Sequence, residues 1–341
     1  MSERIPEDWM RHAVELSKRG FPAPNPRVGC VIVQAGEVVG QGFHEAAGLP
    51  HAEVMALREA GTRASGADVY VTLEPCNHHG RTPPCSQALV RAGVRCVFYA
   101  CSDPNPRAAG GAAALAEAGI EVVPGVLKSE AASANEVFLH AHSSGRVFVV
   151  LKAAITLDGR LARPDGTSRW ITGPEARAEG HRWRAELGGV LVGYRTALLD
   201  DPKLTARIDG VVNPPSRWVW DPQRELPSSL RMFQGETPAR RIVHPDRAEA
   251  GDLVASSERE ALQGMRAEGQ IGVMVEGGAQ THRRFLESGE VDQIDLYVAP
   301  KLFGEGIAWL ASGEGGLPPD WTLHEVQHLG PDVRLSFRPK S

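Results

Sequence analysis

Val69-Tyr70-Val71-Thr72-Leu73-Glu74-Pro75-Cys76 is a short apolar run of strand type that ends on a proline and a thiol. Upstream of it stands His51-Ala52-Glu53, and downstream Pro83-Pro84-Cys85. One imidazole and two thiols make a three-ligand zinc site that keeps a fourth position open for water, the arrangement of a catalytic metal rather than a structural one. Glu53, two residues from the histidine, is then free to carry protons. Both thiols fall where the chain passes toward a helix, because proline is tolerated in a first turn. Helix amides and the positive end of the dipole favour thiolate there. Those transitions lie at one end of a sheet, where α/β sites form.

Working outward, the first part of the chain alternates helix and strand patterns. A helix is expected over residues 9–19, a hairpin over 28–33 and 37–43, and a helix from His51 onward. Further helices are expected over 83–93 and 112–118, with strands over 94–100 and 120–123. Residues 129–142 read as helical and connecting. A linker is expected at His142-Ser143-Ser144-Gly145-Arg146, which divides the chain into residues 1–145 and 146–341. A second α/β series follows, with strands over 147–152, 189–192, 271–275 and 294–298 and helices over 174–186 and 278–286. The alternation predicts mixed or parallel sheets with helices on both faces, in two unlike domains.

A chain of 341 residues, 42% of them hydrophobic, with 37 glycines and 25 prolines, fits a loop-rich α/β protein of two domains. The net charge of −5 divides evenly: 12 basic and 15 acidic residues up to Gly145, then 25 and 27. Neither half has the basic excess of a nucleic-acid binder, so a small-molecule substrate is expected. No apolar run approaches membrane-spanning length. The five cysteines are an odd number and follow no apolar leader, which points to the cytoplasm. Cys30, Cys96 and Cys101 sit in apolar runs and read as small buried side chains.

Each of His51, Cys76 and Cys85 has an ordinary explanation alone, as a helix-start residue or a buried thiol. Together they fit a signature: His-x-Glu with a later Pro-Cys recurs in zinc deaminases of bases and nucleotides, the Glu serving as acid and base. The usual cysteines there are two residues apart, whereas residues 77–84 intervene here. The whole stretch Leu73-Glu74-Pro75-Cys76-Asn77-His78-His79-Gly80-Arg81-Thr82-Pro83-Pro84-Cys85 closely resembles the deaminase motif of the bifunctional deaminase–reductases of riboflavin biosynthesis. So do Asn25-Pro26-Arg27-Val28-Gly29, Gly42-Phe43-His44, and Asp103-Pro104-Asn105-Pro106. The resemblance implies a cytidine-deaminase-like three-layer α/β domain with one zinc per chain. It also implies a pocket lined by Asn25, His44, Arg81, Asp103 and Asn105, and a diaminopyrimidinone substrate carrying a ribosylamino 5′-phosphate.

The resemblance extends through the second half, more loosely. Lys152-Ala153-Ala154-Ile155-Thr156-Leu157-Asp158-Gly159-Arg160, Ser168-Arg169-Trp170-Ile171-Thr172-Gly173 and Glu276-Gly277-Gly278 are similar to blocks of the family's reductase domain, which has a dihydrofolate-reductase-like α/β fold. That likeness implies NADPH held by Ala154, Trp170, Thr196, Asp200 and the turn Gly278, Ala279, Gln280, Thr281, His282, Arg283 and Arg284. It implies a substrate held by Ser168, Arg184, Leu204, Arg207 and Glu276, with the two arginines on phosphate. Independently, Glu276-Gly277-Gly278 follows a strand and opens a helix, where backbone amides approach phosphate. The dinucleotide fingerprint Gly-x-Gly-x-x-Gly is absent. Lys152 and Asp158 are the acid–base candidates of this half. Four stretches depart from the family's usual pattern: Arg195 where a small residue is common, residues 186–189, the bulky Trp218-Val219-Trp220-Asp221, and the polar 279–284 turn. Two readings therefore stand: a two-step deaminase and NADPH reductase, or an active deaminase whose weakened reductase domain serves mainly in oligomerisation. The family implies a homo-oligomer, a dimer through the reductase domains or a tetramer, with no nucleic-acid or membrane partner.

Overall fold

The computed structural model describes residues 6–78, 83–168, 170–313, 317 and 320–340. The chain divides into two compact units, Met1–Ser144 with Gly210–Asn213, and Gly145–Asp209 with Pro214–Ser341.

The first unit runs α1 (Pro6–Ser17), β1 (Gly29–Gln34), β2 (Glu37–Phe43), α2 (Ala52–Ala60), β3 (Asp68–Leu73), α3 (Cys85–Ala92), β4 (Cys96–Cys101), α4 (Gly111–Glu117), β5 (Glu121–Pro124), α5 (Lys128–Ala134) and α6 (Glu136–Ser144). Its five strands lie in the order β2-β1-β3-β4-β5. β1 is antiparallel to β2 and to β3, while β3, β4 and β5 are parallel. The β1 side chains Cys30, Val31, Ile32 and Val33 are all buried, each worth about 1.5–3 kcal/mol if fully apolar. Glycines fix the layers on either side of this sheet. A Cβ on Gly29 would fall 1.9 Å from the Ala13 carbonyl of α1, and one on Gly42 would fall 2.5 Å from the Ala52 carbonyl of α2. Gly42 pairs with Cys30, the residue after Gly29, and successive residues point to opposite faces. So α1 covers one face and α2 the other, a three-layer arrangement. Cys30, Cys96 and Cys101 are buried as expected.

The connecting stretch forms two helices instead of one. Asn135 breaks them: it is buried, and its side-chain carbonyl accepts the Arg27 N–H at 3.0 Å. An asparagine that serves a distant backbone donor leaves helical geometry readily.

The second unit runs β6 (Phe148–Thr156), β7 (Arg160–Ala162), α7 (Pro174–Leu187), β8 (Gly189–Gly193), α8 (Tyr194–Asp200), β9 (Ser216–Trp220), β10 (Arg240–Val243), β11 (Leu253–Val254), α9 (Glu258–Ala267), β12 (Gly272–Val275), α10 (Ala279–Ser288), β13 (Gln293–Ala299), β14 (Ile307–Ala308), β15 (Trp321–Leu329) and β16 (Asp332–Pro339). Nine strands lie in the order β11-β10-β9-β8-β12-β6-β13-β16-β15. All neighbours from β11 to β13 are parallel, and only β16 and β15 are antiparallel additions. Near-continuous apolar strands such as 148–151, 190–192 and 273–275 are what a parallel sheet covered on both faces requires. The core joins Val149, Leu151, Leu191, Val273 and Val275 with Trp218, Trp220 and Phe285. Among the described residues no helix is long and apolar enough to cross a membrane.

Candidate functional site

At one end of the first sheet, β3 delivers Cys76, the start of α3 delivers Cys85, and His51 caps α2. His51 Nδ1 lies 3.6 Å from Cys76 Sγ and 3.3 Å from Cys85 Sγ, and the three ligand atoms all fall within 4.8 Å of one another. Tetrahedral bonds of about 2.0 Å to nitrogen and 2.3 Å to sulfur need separations of this size. The donor set, one imidazole and two thiols, suits zinc and leaves one position unfilled by protein. Hydrogen bonding pushes the Cys76 thiol down, toward thiolate. The Cys85 thiol and the His51 ring donate to it, as does the Cys85 backbone N–H at 3.5 Å, while the Cys85 thiol is pushed up. It is the only His/Cys/Asp/Glu cluster of this kind among the described residues.

Glu53 is 4% exposed. Burial, with the Cys76 charge adding to it, pushes its carboxyl group up to about 7. A carboxyl group with that pKa can both take and give a proton near neutrality.

His44 is buried, with its ring centroid 5.1 Å from that of His51. Burial holds it neutral, down at about 4. Its Nδ1–H donates to the Pro50 carbonyl (3.1 Å), so Nε2 accepts from the Asn25 amide (3.0 Å) and leaves the Asn25 carbonyl for another partner. Asp103 and Asn105 form successive Asx turns, Oδ1 of each accepting the N–H two residues on. Burial raises the Asp103 carboxyl group. Arg81 lies outside the described residues. Sequence reasoning passed over Glu74, whose carboxyl oxygens accept the N–H groups of Asp103 (3.3 Å), Gly110 (3.1 Å) and Ala112 (3.1 Å). Its place between a strand and a ligand thiol was the only available signal.

In the second unit Ala154 lies near the C-terminal end of β6, Thr196 just after β8 and Glu276 just after β12, the strand ends where ligands of open parallel sheets bind. Arg184 of α7 makes a bidentate pair with Glu276, Nε to Oε1 at 2.5 Å and Nη2 to Oε2 at 2.9 Å. Its Nη1 donates to the Thr205 carbonyl at 2.8 Å. His181, one helical turn before Arg184, was not foreseen, although a spacing of three shares a helix face. Its Nδ1–H donates to the same carbonyl (2.9 Å), and its Nε2 accepts from Arg207 (2.9 Å). Burial, with Arg184 and Arg207 adding to it, holds His181 neutral at about 4. Arg207 is otherwise exposed. Lys152 lies 5.3 Å over the Tyr297 ring, its ammonium group pushed down by burial. Asp158 organises a turn: it accepts from the Thr156 hydroxyl and from the N–H groups of Phe303 and Gly304. Those bonds hold it at about 2, too low for a base at neutral pH.

The turn that opens α10 is shaped by small residues. Cβ atoms on Gly193 or Gly277 would strike the Thr281 side chain at 2.1 and 2.3 Å, so the glycines let α10 close onto β8. A Cβ on Gly278 would meet only the Thr196 hydroxyl, at 3.5 Å, which leaves a notch beside the first turn of the helix. That space, next to backbone N–H groups, fits a phosphate-bearing cofactor. Gln280 is exposed, and the Ala279 carbonyl accepts from Ala311. The last three side chains of the turn are committed elsewhere. His282 is buried against the Trp309 carbonyl, Arg283 holds Glu287 and the Ala311 carbonyl, and Arg284 holds Glu258. Leu204 is buried in the cluster of Val190 and Val192, at a positive φ of 55°, so only its backbone can meet a ligand. Trp170 is 63% exposed under the Arg177 guanidinium, Ser168 is half-buried, Ala154 packs near Tyr297, and Asp200 ends α8.

The departures noted in the sequence are mutually consistent. Arg284 stacks 4.6 Å over Trp220, and Arg240 lies 4.8 Å over Trp218, so the bulky strand and the polar turn partner one another. Arg195 is exposed, and Gly188 caps α7 in the left-handed conformation.

Residues 3–101 match the family described as the cytidine and deoxycytidylate deaminase zinc-binding region, and residues 147–335 match the RibD C-terminal domain. The riboflavin biosynthesis protein RibD of Aquifex aeolicus (strain VF5) is 39% identical over 354 residues, covering 99% of each chain. A solved Acinetobacter baumannii RibD structure is 40% identical with a TM-score of 0.90, covering 98% of this chain and 99% of that one. A Thermotoga maritima diaminohydroxyphosphoribosylaminopyrimidine deaminase/5-amino-6-(5-phosphoribosylamino)uracil reductase is 35% identical with a TM-score of 0.86, at 98% and 99% coverage.

Proposed function

The chain belongs to the RibD family of bifunctional riboflavin-biosynthesis enzymes, and on that footing we propose how its residues divide two consecutive reactions on one phosphorylated aminopyrimidine. The first unit deaminates the pyrimidine ring of 2,5-diamino-6-(5-phosphoribosylamino)pyrimidin-4-one: water enters, a C–N bond breaks and ammonia leaves. The second reduces the ring-opened ribosyl imine to a ribitylamine. The observation that carries this reading is the convergence of His51, Cys76 and Cys85 with a buried Glu53 beside them.

His51, Cys76 and Cys85 hold one zinc ion, which when bound supplies a water acidic enough to react near neutrality. A Glu53 carboxyl oxygen takes the proton of the attacking water. It delivers that proton to the ring nitrogen, then takes the remaining proton of the added hydroxyl and hands it to the departing amine, so that ammonia leaves and a carbonyl forms. Asn25 offers its carbonyl oxygen to the ring's donors, because His44 occupies its amide. Asp103 and Asn105 close the other side, and Arg81 meets carbonyl or phosphate oxygens.

NADPH, when bound, supplies the hydride. Thr196 and the turn 278–281 hold its phosphates, with Ala154, Trp170 and Asp200 beside them. The side chains of His282, Arg283 and Arg284 stay with their internal partners. Arg207 binds the substrate phosphate, Arg184 is oriented toward it by Glu276, and Ser168 and the Leu204 backbone complete the pocket.

Incubation of the protein with the aminopyrimidine phosphate tests both assignments by mass analysis. Without NADPH the expected product has exchanged one amino group for oxygen and nothing more, and with NADPH it has also gained two hydrogens. Dialysis against a zinc chelator is expected to abolish the first step and to leave reduction of supplied deaminated substrate intact. Chelation that spares deamination would end the zinc reading. Deaminated product left unreduced by NADPH would restore the weakened-reductase alternative.

The protein works in the cytoplasm, where thiol ligands stay reduced, and as a dimer through its second unit. The edge strand β15 supports that association, with Leu323 and Val326 each 52% exposed. Sedimentation should give a dimer or tetramer that Leu323→Glu weakens, and a monomer at micromolar concentration would refute it.

A further inference from the structure

Glu74 is 9% exposed and takes no part in the proton transfers or the metal set described above. Its carboxyl group is fully engaged by backbone. Oε1 accepts from Gly110 and Ala112, Oε2 accepts from Asp103, and the Glu74 N–H donates to the Cys101 carbonyl at 2.8 Å. One side chain therefore grips both ends of the segment 102–111. The neighbouring backbone adds a further tie, Asn77 N–H to the Ala108 carbonyl at 2.9 Å. Glycine at 111 permits the closeness: a Cβ there would fall 1.7 Å from the Pro75 carbonyl oxygen. Inside this clamped segment, Asp103 and Asn105 are locked by their own turns. The same strand exit that carries the ligand thiol of Cys76 thus carries the group that sets the opposite wall.

We propose that Glu74 is a positioning residue of the deaminase, holding Asp103 and Asn105 at a fixed distance from the zinc ligands so that the pyrimidine is gripped in reacting register. The inference rests on the reading that those two residues line the substrate pocket. Buried carboxyl oxygens that accept several N–H groups cannot be replaced by an amide without setting N–H against N–H. Glutamine at this position has the right size and the wrong donor pattern.

The test uses the full-length, zinc-loaded protein. Glu74→Gln changes the acceptor, and Ala112→Pro deletes one donor at the second residue of α4, where proline is tolerated. Both variants are expected to keep their zinc and their reductase rate. Amide exchange over residues 103–112 should quicken by about tenfold or more. The KM of deamination should rise about tenfold while kcat changes by less than about threefold, the pattern of lost binding rather than lost chemistry. Unchanged exchange in both variants overturns the proposal, as does loss of zinc from both, which would make Glu74 part of the metal scaffold. Quickened exchange with an unchanged KM overturns it too. If Asp103→Asn then raises KM, the pocket reading survives and only the role of Glu74 falls. If Asp103→Asn and Asn105→Ala also leave KM unchanged, the pocket reading falls with it.

Discussion

Glu53→Gln is expected to keep one zinc per chain and to lose about four orders of magnitude in deamination rate, the upper end of what a positioned acid–base group contributes. Glutamine matches glutamate in size, and the ligand set of His51, Cys76 and Cys85 does not include position 53. The metal site should therefore survive the change. The loss is large because one carboxyl group performs more than one proton transfer, and the buried environment that raises it to about 7 is what allows it to accept and to release. The measurement is ammonia release at saturating substrate, with zinc counted in the same sample and NADPH reduction of deaminated substrate as the control for folding. Activity within tenfold of the parent at full zinc content would remove Glu53 from the mechanism.

Much of this first site could be read in advance because short-range patterns carry it. A strand that ends on Pro75-Cys76, a helix that opens at Cys85 and a histidine before a helix all place their side chains by local geometry, and the three meet at 3.3–3.6 Å around His51 Nδ1. Glu74 was hidden for the opposite reason. Its partners at 103, 110 and 112 are backbone N–H groups, and backbone donors leave no trace in a sequence. The same holds for Asn135, which splits a continuous helical pattern because Arg27, far away in the chain, needs an acceptor.

The second unit was less legible at its edge. No strand is expected there from the sequence, and in β16 the polar residues Asp332, Arg334 and Ser336 are buried more deeply than Val333, Leu335 and Phe337, of which Phe337 packs on the main core. Arg334 pairs with Glu179 of α7 and with Glu325 of β15, and Asp332 accepts the Gly173 N–H. A polar layer can be buried under a helix when its charges are paired. β15 lies at the edge and is mostly exposed, so it lacks the apolar alternation that marks a strand. The interior parallel strands, apolar along their whole length, were plain.

Glu276→Gln carries the second large effect, on stability. Arg184 and Glu276 are only 13% and 15% exposed and are joined by two hydrogen bonds. Burial alone would raise the Glu276 carboxyl group, but the Arg184 charge and hydrogen bonds, with Lys152, overcome it and hold the group at about 2. A carboxyl group held below its ordinary 4.5 adds stability that is complete above that value and is lost as pH falls toward 2. The shift corresponds to about 3 kcal/mol at neutral pH, and a buried guanidinium left without its partner costs a similar amount. Glu276→Gln should therefore lower the stability of the second unit by about 3 kcal/mol at pH 7, and the deficit should shrink steadily as the pH falls below 4.5, because the parent then loses the same interaction. Denaturant unfolding followed by tryptophan fluorescence reads this unit selectively, since six of the seven tryptophans lie beyond Gly145. Equal stability at pH 7, or a deficit that stays constant into acid, would mean that the pair is not what holds α7 against the end of β12.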